Sequence, residues 1–104
     1  MGVDQYHEPP DELSAAIRTF ARMITGLAEE ADAISWYEQR MSVEQNSDAK
    51  KIRENAQKEE MKHFSMDLEF LLRTKLQWRE VARGILFSKG DIVELAEKAE
   101  KEGD

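Results

Sequence analysis

The chain of 104 residues has no cysteine, two prolines and two histidines. Without thiols, disulfides, thiolate nucleophiles and sulfur-rich metal sites are excluded together. With two imidazoles available, a metal site must be built mostly from carboxylates, which favours hard or borderline ions such as iron or manganese over structural zinc. Basic residues are the minority, 15 Lys and Arg against 22 Asp and Glu, so the net charge is −7 and the pI about 4.9. Such a chain has no electrostatic drive toward phosphate backbones, and nucleic acid is not an expected partner. No apolar run approaches the length that crosses a bilayer, so no membrane association is expected. Met1 to Gln5 lacks the basic and apolar regions of a secretory signal, and the expected location is cytoplasmic.

What is present points to long helices. Hydrophobic residues are 40% and charged residues 36%, enough apolar content to argue against disorder, with Glu, Lys, Ala and Arg abundant. A single domain over 1–104 would bury only about 60–65% of its unfolded surface as a monomer, which makes association a reasonable expectation. His7 sits in a short arm closed by Pro9 and Pro10, where a solvated terminal residue is the ordinary reading, and Asp11 is the candidate cap of the first helix. From Leu13 the apolar positions Ile17, Phe20, Ile24, Leu27, Ala31, Ile34 and Met41 alternate steps of four and three, with Glu38 in one slot. A helix over about 11–43 would be near 50 Å long at roughly 1.5 Å per residue, and it wants a partner along that length. Gly26 and Ala28 near its middle would let another helix approach closely.

Asn46, Ser47 and Asp48 form a turn and cap, and so short a connection forces an antiparallel hairpin with a second helix over about 48–73. The phase then changes near Thr74. A short helix over about 75–87 carries Leu76, Trp78, Val81, Leu86 and Phe87, and Gly90-Asp91 opens a terminal helix over about 91–102. The fold class is all-α.

The second helix carries the chemistry. Its apolar stripe runs Ala49, Ile52, Ala56, Met66 and Phe70, but Glu60 and His63 stand where hydrophobes are due. Residues three apart share a helix face, and a carboxylate and an imidazole on an apolar seam are costly unless something pairs with both. A metal ion between helices would do so. Glu-x-x-His also arises by chance on acidic helices, but Glu30 borders the inward stripe of the preceding helix. One Glu from one helix and Glu-x-x-His from the next is half of the di-iron carboxylate set of ferritin-like bundles. Two hairpins packed about a two-fold axis would supply four glutamates and two histidines, a four-helix bundle made from two chains. Lys58 and Lys62 alternating with Glu54 and Glu59 read as ordinary surface. Met23, Met61 and Met66 read as packing filler.

Glu29-Glu30-x-Asp32, Trp36-Tyr37-x-Gln39-Arg40, Glu59-Glu60-x-x-His63, the opening His7-Glu8-Pro9 and the later Leu86-Phe87 together resemble the encapsulated ferritins, ferritin-like cargo of encapsulin nanocompartments. The likeness extends to about Ile92. It implies a ferroxidase that oxidises Fe(II) to Fe(III), with two iron ions per dimer, dimers assembled as a ring of five into a decamer, and an encapsulin shell protein as partner. On that pattern Glu30, Glu60 and His63 are the iron ligands, Glu60 bridging and Glu30 terminal. Glu29 and Asp32 form an outer entry site for calcium or another divalent ion. The family usually has glutamate where this chain has the shorter Asp32. Tyr37, on the Glu30 face, is placed to hydrogen-bond a ligand carboxylate, and Trp36 falls on the Glu29 and Asp32 face; interface packing is the plain alternative for both rings. Cargo of this family normally ends in an apolar targeting tail, which does not follow Glu100 to Asp104, so attachment through a further segment or by fusion to the shell protein are both open. Two other functions fit the same residues: an acidic dimerisation or cargo module without redox activity, and a non-redox protein holding zinc or manganese.

Overall fold

The computed structural model describes residues 5–103, so Met1 to Asp4, on which part of the signal-peptide reading falls, lie outside the described residues. The described chain is all-helical: a 3-10 turn at Pro10–Glu12, then α1 at Ala15–Val43, α2 at Ser47–Thr74, α3 at Leu76–Arg83 and α4 at Ile92–Gly103. It divides into two compact units, Met1–Leu71 with the hairpin of α1 and most of α2, and Leu72–Asp104 with α3 and α4. Among the described residues, no helix is long and apolar enough to cross a membrane.

Helix α1 starts later than Asp11. Pro10 occupies the first position of the 3-10 turn and both Leu13 and Ser14 are extended, so the chain enters the α conformation only after Ser14, the N-cap, whose Oγ accepts from the Ile17 N–H at 3.2 Å. Arg18 ties the arm to α1, donating from Nη1 to Leu13 O at 2.7 Å and to Pro10 O at 2.9 Å, the second of which also accepts from the Leu13 N–H at 3.2 Å. Three residues, 44–46, join α1 to α2, and Asn46 Oδ1 caps the second helix by accepting from the Ala49 N–H at 2.9 Å.

Gln57 pins the antiparallel register. Its amide is buried and donates to Ile34 O at 3.1 Å and to Glu38 Oε1 at 2.8 Å, which explains the polar slot that Glu38 occupies on the α1 seam. Farther from the turn, Gly26 of α1 faces Asp67 of α2. The inward face of α2 is thus Gln57, Phe64, Leu68 and Leu71, rotated from the stripe expected through Ile52, His63 and Met66. Ile52 and Met66 are 66% and 62% exposed, and α1 has no buried residue at all. One hairpin leaves a long apolar face open to solvent.

In the second unit α3 ends at Arg83, short of the expected 87. The ladder tightens there, with the Gly84 N–H bonded to Val81 O at 3.2 Å and the Ile85 N–H to Ala82 O at 3.0 Å, and Phe87 then takes a left-handed φ of 60°. Asp91 Oδ1 caps α4 through the Glu94 N–H at 3.0 Å. Gly84 lies against α4 so closely that a Cβ there would stand 2.6 Å from Ala99 Cβ. Gly84→Ala is therefore expected to destabilise this unit by about 1–3 kcal/mol, although alanine is the better helix former. Hydrogen exchange along 76–103 reads the effect, and unchanged protection in the variant would refute the close packing.

Candidate metal centre

The register of the hairpin brings the chemistry of both helices to one open pocket of about 660 Å³, lined by Glu29, Glu30, Asp32 and Trp36 of α1 and Glu60 and His63 of α2, with Gly26 and Ala33 on its floor. Helical spacing accounts for the arrangement. Glu30 and Glu60 stand at the edges of the faces that meet, while Glu29, Asp32 and Trp36 turn outward. His63 lies one turn on from Glu60, its Nδ1 3.8 Å from Glu60 Oε1, with the imidazole side chain 49% and the carboxylate side chain 28% exposed. Tyr37 is half-buried, with the Arg40 guanidinium 5.7 Å from its ring centre. Glu59, beside Glu60, is an exposed residue paired with Lys62 at 2.9 Å, which holds its carboxyl below the usual range.

Glu30 is the anomalous group. Burial pushes its carboxyl up to about 7, helped by a hydrogen bond that it donates to Asp67 and by the negative charges of Asp67, Glu60 and Glu29. Its Oε2 is buried without a hydrogen-bond partner. An orphaned carboxylate oxygen at the edge of an acidic pocket, with a second carboxylate and an imidazole beside it, is a donor set suited to a borderline divalent cation. Among the described residues, no three His, Asp or Glu side chains of one chain converge closely enough to hold a metal ion by themselves. Each chain presents Glu30, Glu60 and His63 at one pocket beside an uncovered apolar face.

Two contributors lie off the expected stripe. Gln57 and Asp67 both belong to the inward face of α2, where polar residues are hard to single out because the adjacent Ala56 and Met66 fit an apolar pattern. The available signal for Asp67 is its spacing, four after His63 and seven after Glu60. Gly26 lies beside both carboxylates: a Cβ there would meet Asp67 Oδ2 at 3.4 Å and Glu30 Oε1 at 4.0 Å, ordinary contact distances.

A family model described as EncFtn-like matches residues 5–89. A ferritin-like protein of Thermotoga maritima is 41% identical over 95 residues, covering 91% of this chain and 83% of that protein. An encapsulated ferritin-like protein of Rhodospirillum rubrum is 34% identical over 95 residues, covering 89% of this chain and 68% of that protein. In three dimensions, a crystallised protein of Nitrosomonas europaea superposes with a TM-score of 0.82 at 32% identity, over 86% of this chain and 98% of that one. With the family model spanning most of the chain and relatives matched along nearly all of it, this protein belongs to the EncFtn-like family of encapsulated ferritin-like proteins.

Proposed function

We propose that the protein is a ferroxidase whose substrate iron is held between two copies of the hairpin, each contributing Glu30, Glu60 and His63. The observation that carries this reading is the unpartnered, buried Oε2 of Glu30 at the edge of the pocket that Glu60 and His63 line. Two such half-sites about a two-fold axis supply four carboxylates and two imidazoles, and pairing would cover the open Ile52 and Met66 face. Each Fe(II) gives up one electron. Two Fe(II) with dioxygen and two protons yield two Fe(III) and hydrogen peroxide, or with peroxide and two protons yield two Fe(III) and two waters. The carboxylates suit both oxidation states, and His63 fixes the geometry. Glu29 and Asp32 at the exposed mouth attract calcium or other divalent cations on their way inward, and Trp36 walls that entry.

The family, and the word encapsulated in the description of the Rhodospirillum rubrum relative, support an encapsulin shell as the partner that receives Fe(III) for storage. Dimers assembling as a ring of five follow the family pattern. Aerobic addition of Fe(II) to the purified protein tests the activity: ferric absorbance should rise well above the rate in buffer, with two iron ions taken up per dimer. A dimerisation or cargo module would leave the buffer rate unchanged, and a non-redox metal protein would bind the ion without turnover.

A further inference from the structure

Helix α2 carries two exposed methionines on opposite sides. Met66 is 62% exposed and Met61 44%, while Met23 and Met41 of α1 are half-buried. At about 100° per residue, Ile52, His63, Met66 and Phe70 fall within roughly 60° of one another around the helix, and Met61 falls on the far side. Ile52, Met66 and Phe70 are exposed apolar residues of the face that a second copy would cover, and Met66 lies one turn on from His63 of the pocket. We infer that Met66 is an oxidation site for hydrogen peroxide, and that its sulfoxide blocks the pairing of two hairpins.

This role rests on the pairing proposed above, and peroxide is a product of the dioxygen route given there. The thioether sulfur attacks one peroxide oxygen, so that an S–O bond forms as the O–O bond breaks, and the departing hydroxide takes a proton to become water. Sulfur loses two electrons and peroxide gains two. The product is a polar sulfoxide in place of a flexible apolar side chain, and across a two-fold axis it enters the interface once from each chain. Covering a polar group that finds no hydrogen-bond partner is unfavourable, so an oxidised chain stays single. Fe(II) oxidation that releases peroxide faster than it is reused would thus remove the chains from which new sites are made, and a methionine sulfoxide reductase would restore them. Met61, on the opposite side of α2, is the internal control.

The test treats the protein with hydrogen peroxide across a dilution series, with Zn(II) present as a cation that has no redox chemistry. Peptide mass spectrometry reads each methionine, and sedimentation velocity reads pairing. In dilute protein Met66 should be oxidised several-fold faster than Met23 or Met41, and it should become protected as rising concentration drives pairing. Chains carrying the Met66 sulfoxide should pair at least about tenfold more weakly. Met66→Leu should keep its pairing after the same treatment, although Met61 is still oxidised, and Met66→Gln should pair weakly without any peroxide. Equal weakening of wild type and Met66→Leu would overturn the inference by moving the sensitive group elsewhere. Full pairing of chains with the Met66 sulfoxide would overturn it, as would protection of Met66 at every dilution. Untreated wild type that sediments as single chains at all concentrations would overturn the pairing itself, and the blocking role with it.

Discussion

Alanine at Glu60 or at His63 is expected to lower aerobic Fe(II) oxidation by more than about 100-fold, to the rate of iron in buffer, because loss of a mere outer partner already costs 10–100-fold. In the proposed paired site each substitution would remove two ligands, and the remaining groups would not hold two ions. The helices should survive the change. Both side chains are substantially solvent-accessible, His63 at 49% and Glu60 at 28%, and alanine favours helix at either position. Circular dichroism should therefore be nearly unchanged while iron stoichiometry per dimer collapses. Full activity in both variants would place the chemistry elsewhere on the molecule. Stoichiometric iron measured on the same samples keeps loss of binding separate from loss of turnover.

The second large effect concerns Glu30 in the metal-free protein. Its carboxyl lies at about 7 in the fold against 4.5 as the reference value, so between those pH values the folded chain binds more protons than the unfolded one. Stability then falls as pH rises through this window: the contribution is fully present below about 4.5 and lost once Glu30 ionises above about 7. Glu30→Gln keeps the shape of the neutral carboxyl but cannot ionise beside Asp67, Glu60 and Glu29. The variant should match wild type near pH 4.5 and exceed it by about 2 kcal/mol at pH 8, read from urea midpoints at fixed protein concentration. Parallel pH profiles for the two proteins would show that Glu30 ionises normally. A divalent cation should reverse the order at pH 8, stabilising wild type by mass action and leaving Glu30→Gln nearly unaffected. Because the cation competes with the proton, its affinity for wild type should climb as pH passes through 7.

Much of this molecule is legible along the chain, for a reason particular to it. In a hairpin with a three-residue connection the partner of each α1 residue follows from counting back from the turn, so Glu30 meeting the Glu60 and His63 level of α2 requires no long-range information. The caps are equally local: Asn46 and Asp91 bond backbone N–H groups three residues on. Asp11 shows where local reading misleads. A good capping residue stood upstream, but the Pro9-Pro10 geometry spent it in a 3-10 turn and left the task to Ser14. The third helix was overestimated for a different reason. Leu86 and Phe87 continue an apolar pattern, yet the helix ends at Arg83, just before Gly84, which packs on Ala99, a contact between residues fifteen apart.

The sequence alone determined the helical class, the antiparallel pairing and the presence of carboxylates and an imidazole at one level of the hairpin, because periodicity, turn length and residue chemistry are properties of neighbours in the chain. Only the tertiary structure decided how α2 is rotated about its own axis. That rotation turns Gln57 and Asp67 inward, leaves Ile52 and Met66 outside, and strands one oxygen of Glu30. The physical reason is that the rotation is set by which side chains fit against α1, and above all by the buried amide of Gln57 finding Ile34 O and Glu38 Oε1. No window along a single helix contains that match.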